Sequence, residues 1–347
     1  MPRPFRTPRR RRPEWPRRGG IIPARGALNG EHLTKEYDVL DPTQLFRIET
    51  DTPLAEQSAS TLVVSLGGFI DAGNTQKLMT AHMLGTLEHT VVASFDVDQL
   101  LDYRGRRPMM TFDRDRYSEY DDPALVLYRL VDAEGTPFLL LAGPEPDYQW
   151  ERVSEAVRIL AANLGVSLMV SAHGIPMAVP HTRPVGFTRF ASDQRLLTEN
   201  EPLFGNVQVP SSAEGLMHIR LAEAGMDTAG FALHVPHYLT QVEFADAALA
   251  ALEAVCGLTG LAIPAQELAA IAGLHRADIA KQISENDEVT EVVEGLERQY
   301  DAFTEGRRRR SLLAAEMNDL PSADEIGAEL EQFLRAEGED PGTKGSL

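Results

Sequence analysis

The sequence predicts an α/β protein whose sheet is mixed and mostly parallel, followed by a helical extension. Between residues 40 and 260, short apolar runs typical of strands alternate with amphipathic stretches of helical spacing. Glycines end several of these runs just before a helix, as expected for strand–turn–helix units. From Pro264 onward the helical pattern continues without strand-like runs. We therefore predict a layered α/β domain over residues 40–260 and a helical appendage over residues 261–337.

The domain begins with two predicted strands and a helix. Residues 41–49 (DPTQLFRIE) predict an edge strand. Residues 61–66 form a β-branched apolar run that stops at two glycines, and residues 74–87 then have helical spacing. Residues 91–95 predict a further strand. This part of the chain is a strand–turn–helix–strand unit.

A hairpin and a crossover are predicted next. Residues 124–131 and 136–142 are apolar runs joined by the turn Asp-Ala-Glu-Gly, which is typical of a hairpin. Residues 148–165 are amphipathic and end in glycine, and residues 166–171 again resemble a buried strand. The order strand, helix, strand predicts a right-handed crossover onto a parallel sheet.

The remaining elements complete the domain and its appendage. Ser211 and Glu214 predict a capping box at the start of a helix, because each side chain can bond the other's backbone amide. A strand over residues 228–235 and a helix over residues 243–255 follow. Beyond Pro264 the long helical run ends in a last predicted helix over residues 322–335.

Charge is distributed unevenly along the chain. The formal net charge is −19, yet residues 1–25 contain nine arginines and one glutamate, so the remainder carries −27. An acidic body repels phosphate backbones, and nucleic-acid binding is therefore not expected outside the basic tail. Residues 1–30 are rich in arginine and proline without apolar period, which predicts disorder; an arm that binds nucleic acid or an anionic surface is the alternative. Residues 338–347 are expected to be loose.

The cysteine and hydropathy patterns exclude several classes of protein. A single cysteine, Cys256, excludes disulfides within the chain and a thiolate metal cage. No run approaches the roughly 18 apolar residues of a membrane-spanning helix. His234 and His237 would point to opposite sides of an extended segment, which disfavours a shared metal ion. We expect a cytoplasmic protein with no metal, no cofactor and no membrane partner.

The first candidate ligand site is the segment GGFIDAGN, residues 67–74. Gly67 and Gly68 at a strand end let the backbone approach a ligand, and the following helix offers free amides. The segment lacks the Gly-Lys-Ser/Thr of a phosphate loop and the glycine spacing of a dinucleotide site. Asp71 either caps the helix or contacts a ligand directly.

An arginine-rich segment at residues 100–115 is the second candidate. Its four arginines are Arg104, Arg106, Arg107 and Arg114. In an acidic body these guanidinium groups need partners. They either form salt bridges with the nearby aspartates Asp102, Asp113 and Asp115 or recognise an anion or a subunit, with Arg107 as the candidate contact.

Two strand-like runs each end in Val-Pro-His, which makes the third candidate. Proline cannot donate to a sheet ladder, so each Val-Pro step marks a strand exit, and His181 and His237 follow directly. Ligands of open α/β sheets usually bind at such exits. The two histidines are either hydrogen-bonded loop residues or, with Arg183, part of one shared pocket.

Five segments in order resemble a known family: GGFIDAGN, LLDYRGRRPMMTF, LLLAGPEPDYQWERV, IPMAVPHTRPVGFT and HVPHYLTQ. From about residue 40 to about residue 335, the chain resembles the bacterial branch of the proteasome assembly chaperone 2 family. The resemblance implies a three-layer α/β/α sandwich related to purine nucleoside phosphorylases, a helical C-terminal extension and homo-oligomers such as trimers. It implies little about activity. Chaperones of this class often dock on proteasome rings through a penultimate tyrosine, whereas residues 344–347 read Lys-Gly-Ser-Leu.

Two functions remain open at this point. The absence of a recognisable nucleophile, metal set or phosphate loop favours a non-catalytic assembly or scaffold protein. The polar residues at the predicted strand exits favour a small-molecule binding protein or enzyme with an anionic or nucleoside-like ligand. Its predicted contacts are Gly67, Gly68, Asp71, Arg107, His181, Arg183 and His237.

Overall fold

A computed structural model describes residues 40–68, 71–197 and 205–318 of the chain. The predicted tails at residues 1–30 and 338–347, the last predicted helix and the C-terminal Lys-Gly-Ser-Leu lie outside these residues. No described helix combines the length and apolar character needed to cross a bilayer.

The described residues form ten strands and six α-helices. The strands are β1 (Phe46–Ile48), β2 (Thr61–Gly67), β3 (His89–Phe95), β4 (Met110–Asp113), β5 (Arg116–Tyr120), β6 (Val126–Val131), β7 (Pro137–Pro144), β8 (Leu168–Met177), β9 (Phe187–Ala191) and β10 (Asp227–Pro236). The helices are α1 (Thr75–Thr86), α2 (Trp150–Asn163), α3 (Ala213–Glu223), α4 (Ala245–Thr259), α5 (Gln266–Ser284) and α6 (Asp287–Asn318).

Eight strands form one central sheet in the order β1–β3–β6–β7–β2–β8–β10–β9. The neighbours β7, β2, β8 and β10 run parallel, and β3 shares their direction because two antiparallel pairings separate it from β7. Strands β1, β6 and β9 run the opposite way. The prediction of a mixed, mostly parallel sheet is therefore confirmed. Strands β4 and β5 form a separate two-stranded sheet.

Helices cover both faces of the central sheet. Helices α1, α4 and α5 pack on one face around Met79, Phe138 and Phe244. Helices α2 and α3 pack on the other face around Leu139 and Met217. Phe138 and Leu139 are consecutive in β7 and enter opposite cores, because successive strand side chains alternate between faces. The predicted α/β/α sandwich is confirmed.

The C-terminal helices belong to this body. Leu268, Ala272 and Ile279 of α5 join the core formed with α4, and α6 buries Val293 and Leu296. A helical C-terminal region was predicted from the loss of strand-like runs after Pro264, and it is confirmed.

Two details differ from the sequence prediction. The hairpin β4–β5 and the edge strand β9 were not predicted, because their residues are exposed or half-buried and lack a continuous apolar run. The capping box was wrong by one residue: Ser212, not Ser211, accepts from the Gly215 amide, and α3 begins at Ala213. Glu214 is buried among other polar side chains and so does not reach back to cap the helix.

The sheet opens between β2 and β8 toward their carboxyl ends. Their pairing ends at Val64 and Ser171, although β2 continues to Gly67 and β8 to Met177. The helix that follows β2 packs on one face, and the helix that precedes β8 packs on the other. Such a divergence is where ligands bind in open α/β sheets.

Candidate functional site at the carboxyl edge of the sheet

The parallel strands bring several predicted site residues to one edge. Gly67 at the end of β2 pairs with Pro144 at the end of β7, and Met177 of β8 pairs with Pro236 of β10. The segments after these strands therefore meet above the opening between β2 and β8. Two groups of polar side chains lie there, one around Asp71 and one around Tyr238.

Asp71 caps helix α1. Its Oδ1 accepts from the Gln76 amide at 2.8 Å and its Oδ2 from the Lys77 amide at 3.3 Å, and the carboxylate also accepts from the Gly174 amide. Burial raises the pKa of Asp71, although the amide hydrogen bonds oppose this change. Of the two readings of Asp71, the structure favours capping. The carboxylate occupies the amides that a bound anion would use.

Strand β8 approaches the start of α1 very closely. A Cβ built on Gly174 would lie 2.6 Å from Thr75 Oγ1 and would overlap the Ala72 carbonyl. The neighbouring Gly73 amide donates to the Thr240 carbonyl at 3.0 Å. Only glycine at position 174 allows the turn before α1 to rest against β8. This contact holds Asp71 beside the opening of the sheet.

A buried carboxylate lies inside the opening. Glu214 of α3 is almost fully buried, and it accepts from Gln76 Nε2 at 2.7 Å and bonds His173 Nδ1 at 3.1 Å. Burial alone opposes ionisation of Glu214, but the hydrogen bond and charge of His173 outweigh it and lower the pKa of Glu214. Burial likewise disfavours the His173 cation, and Glu214 reverses this effect and raises the pKa of His173. The two side chains form a hydrogen-bonded pair, which is an ion pair when His173 is protonated, and this pair links β8 to α3.

A serine–histidine pair lies next to this ion pair. Ser171 Oγ and His218 Nε2 are 2.8 Å apart, and the Phe190 ring packs edge-on against His218 at 5.0 Å. Burial lowers the pKa of His218 to about 4. Among the described residues, His218 Nδ1 and Gln76 Oε1 are buried without a hydrogen-bond partner.

This pair lacks the arrangement of a catalytic triad. Ser171 is fully buried, and Glu214 bonds Ser171 rather than the second nitrogen of His218. A catalytic serine needs access to substrate and a third group that orients its base. Within the part of the chain that the structure describes, no three His, Cys, Asp or Glu side chains are placed to hold a metal ion. These polar side chains therefore form a fixed network of hydrogen bonds between β8, α1 and α3.

Gly68 makes room for a second buried carboxylate. A Cβ on Gly68 would lie 2.8 Å from Glu145 Cβ, so a larger residue would collide with that side chain. Glu145 Oε1 accepts from the Ala213 amide at 2.7 Å, and the Glu145 amide donates to the Gly67 carbonyl at 2.9 Å. Gly68 therefore allows Glu145 to pack against the start of α3, whereas a Cβ on Gly67 would only touch the Gly143 carbonyl at 3.9 Å.

The two Val-Pro-His histidines both lie near Tyr238. The ring of His181 lies 6.0 Å from the Tyr238 ring, and the ring of His237 lies 5.4 Å from it. His181 Nδ1 bonds Tyr238 Oη at 2.8 Å, and burial lowers the pKa of His181. His237 is exposed. The structure thus brings the two imidazoles to one tyrosine, with only His181 bonded to it.

Arg183 holds helix α6 against this edge. Its guanidinium forms two bonds with Asp301, at 2.9 and 2.8 Å, and lies 3.4 Å from Glu297. Thr182 also donates to Glu297. These carboxylates raise the pKa of Arg183 further, with the Asp301 hydrogen bonds as the main cause. Arg183 was predicted to contact a ligand, but its guanidinium is bonded to Asp301 of helix α6 instead.

Arg107 is exposed and lies in the loop before β4. Of its neighbours, Arg106 pairs with Asp147 at 2.7 Å, and Arg114 lies 3.9 Å from Asp113. Part of the arginine cluster therefore forms salt bridges; Asp113 is one of the three expected partners, whereas Asp147 was not among them.

Sequence reasoning missed the residues inside the opening. Glu214 and His218 are one helical turn apart. Ser171 and His173 are two residues apart in a mostly apolar strand, so they lie on the same face of it. Polar side chains at these spacings, on elements predicted to be buried, were the available signal.

Comparisons with known proteins agree with this architecture. None of the curated proteins matches the chain. A protein of unknown function from Mycobacterium tuberculosis is 44% identical, with a TM-score of 0.75, and the match covers 80% of this chain and 95% of that chain. A protein of unknown function from Corynebacterium glutamicum is 32% identical, with a TM-score of 0.71 and coverage of 75% and 97%.

A third solved structure carries the family name. A PAC2 family protein from Streptomyces avermitilis is 26% identical, with a TM-score of 0.60, covering 67% of this chain and 99% of that chain. The PAC2 family model matches residues 65–283, which run from within β2 to within α5 and include Asp71 and Tyr238. This result confirms the resemblance found in the five sequence segments. The chain belongs to the PAC2 family.

Proposed function

We propose that this chain is an assembly or scaffold protein that acts without catalysis, through contacts with other protein chains. The observation that carries the proposal is that the polar groups at the strand exits bond one another. Asp71 accepts a hydrogen bond from an amide at the start of α1, and both carboxylate oxygens of Glu214 accept hydrogen bonds. Arg183 is paired with Asp301 of α6. Little of this polar surface is left for a substrate.

Family membership supports an assembly role. Among solved structures of the same fold is a proteasome-assembly chaperone homologue from Mycobacterium tuberculosis that is 23% identical to this chain. We extend the proposal to a homo-oligomer, such as a trimer, and to the cytoplasm, where a lone Cys256 is compatible with reducing conditions.

Assembly of a bacterial proteasome core from purified α- and β-subunits tests the proposed role. We expect the chain to form a complex with partly assembled subunits, detected by native mass spectrometry, and to change the rate of core formation at least twofold. Serum albumin at equal concentration controls for the effect of an acidic bystander. An unchanged rate with no complex would refute the assembly role.

A second candidate function is the binding of a small molecule at the opening between β2 and β8. It is favoured by two buried atoms at this opening that have no hydrogen-bond partner among the described residues, Gln76 Oε1 and His218 Nδ1. Gln76 Nε2 donates to Glu214, so its oxygen is fixed as an acceptor. Because the pKa of His218 is low, its ring is neutral, and Nδ1 accepts if Nε2 donates to Ser171. A ligand with hydroxyl or amine donors, such as a nucleoside, fits two acceptors better than an anion does.

A thermal-shift screen with nucleosides, nucleotides and phosphorylated metabolites tests this second candidate, since a ligand of the folded state raises the melting temperature. Any hit should be weakened by Gln76→Leu and kept by Gln99→Leu, an exposed control. The predicted contacts at the other polar group are tested in the same screen with His181→Ala and Arg183→Ala. A screen without any shift removes this candidate.

A further inference from the structure

A cavity lies at the β9 edge of the central sheet, between β9 and β10 on one side and helix α4 on the other. Its volume is about 610 Å³, which equals the space of about 20 water molecules. Pockets for small molecules span roughly 300–1,000 Å³. None of the polar side chains of the candidate site lines this cavity. It is therefore a second place where a small molecule fits.

Helix α4 creates the space by presenting small residues to β9. Ala250, Ala254 and Gly257 follow one another at four- and three-residue steps, so they share one helix face, and all three line the cavity. A Cβ built on Gly257 meets nothing within 4 Å. The face of α4 that lies on the sheet carries the larger Leu252 and Val255, which are almost fully buried. Because β9 is the edge strand of the described sheet, no neighbouring strand narrows the space on its outer side.

Aromatic rings form the opposite wall of the cavity. Phe187 of β9 and Phe231 of β10 lie on the same face of the sheet, and their rings meet edge to face at 5.4 Å. The Arg189 guanidinium lies over the Phe187 ring, 5.1 Å from its centre. Leu196 and Leu197 also line the cavity. These contacts fix the orientation of the two rings, so the cavity keeps an apolar, aromatic wall.

The charges around the cavity indicate the chemistry of the ligand. The charged lining residues are Arg189, Arg195 and Glu253. Arg195 forms salt bridges with Asp193 and Asp227, so the two arginines meet three carboxylates and leave no excess positive charge for an anion. An ion of either sign would also lose its hydration against the apolar walls. Charge and lining both select an uncharged ligand.

We infer that the cavity between β9 and α4 binds an uncharged aromatic molecule, held between the Phe187 and Phe231 rings and the small residues of α4. Aromatic rings pack edge-on or offset against one another, and the small residues leave room for a flat ring system. The inference is independent of the proposed assembly role, because binding here needs neither a partner chain nor the polar groups of the candidate site.

Fluorescence titration of the full chain with Nile red, an uncharged polycyclic dye, tests the cavity. Gly257→Leu places a side chain in the cavity. Gly85→Leu is the matched control, because Gly85 is also an exposed glycine within a helix whose Cβ would meet open space. We expect wild type and Gly85→Leu to bind the dye with the same Kd and Gly257→Leu to bind it at least tenfold more weakly. Ala254→Leu fills the same cavity from the preceding turn of α4 and should have the same effect.

Further controls separate this cavity from other apolar surfaces. Phe112→Ser removes an exposed ring of the β4–β5 hairpin and should leave the Kd unchanged. The anionic dye 8-anilinonaphthalene-1-sulfonate should bind at least tenfold more weakly than Nile red. Circular dichroism checks that each variant is folded. The inference is overturned if wild type shows no saturable binding, if folded Gly257→Leu and Ala254→Leu keep the wild-type Kd, if Gly85→Leu loses affinity equally, or if the sulfonate binds as tightly.

Discussion

Acidification should destabilise this protein through His218. Burial holds the pKa of His218 at about 4 in the folded state, against about 6.5 for an unfolded histidine. Between these values the unfolded chain binds a proton that the folded chain does not, so stability falls as the pH falls from 6.5 toward 4. At 1.36 kcal/mol for each unit of pKa, the loss from this residue is about 3 kcal/mol. Above pH 6.5 the contribution is complete and constant.

His218→Gln isolates this effect. Glutamine places an amide nitrogen near the position of Nε2, so it can still bond Ser171, but it does not titrate. Urea unfolding followed by circular dichroism, at fixed ionic strength from pH 7.5 to 4, measures the free energy of unfolding of both proteins. We expect wild type to lose about 3 kcal/mol more than the variant over this range.

The exposed His237→Gln controls for the loss of a histidine, and it should follow wild type. Parallel curves for wild type and His218→Gln would show that His218 titrates alike in the folded and unfolded chains, and the reasoning would fail.

Three further predictions concern packing, capping and the C-terminal helix. Gly174→Ala should lower the free energy of unfolding by about 1–3 kcal/mol and the melting temperature by several degrees, because its Cβ overlaps the turn before α1. Gly257→Ala, where a Cβ meets open space in α4, should not lower the melting temperature, and equal melting temperatures of the two variants would contradict the close approach. Asp71→Ala should lower the free energy of unfolding by about 1 kcal/mol in urea unfolding by removing the cap of α1, and an unchanged midpoint would argue against capping. Arg183→Gln should speed amide hydrogen exchange in α6 but not in α4; identical exchange in both helices would show that the Asp301 pair does not hold α6.

The central sheet could be predicted from local patterns because its strands are buried. In β7, the run Phe138-Leu139-Leu140-Leu141 is buried on both faces, and only a central strand of a layered protein accommodates such a run. Strands β4 and β5 offered no such signal. Their apolar residues face solvent, so the hydrophobic pattern that marks burial is missing.

The site was less accessible to sequence reasoning because its contacts are long-range. Glu214 looked like a helix cap from its neighbours, whereas its partner Gln76 lies 138 residues away. Arg183 looked like a free ligand contact, whereas Asp301, 118 residues further on, engages it. Capping by Asp71, one of the two interpretations open from the sequence, could be foreseen because a cap bonds amides only a few residues away in the chain.

The carboxylate of Asp71 has a consequence for how this fold could change during evolution. Negative charge already occupies the amides that begin α1, so the protein needs no phosphate or nucleotide to complete that turn, and its stability should not depend on metabolite levels. A single substitution of Asp71 by a neutral residue would free those amides toward the opening of the sheet. On this scaffold, a single codon change at Asp71 would therefore leave amides at the start of α1 available to an anion.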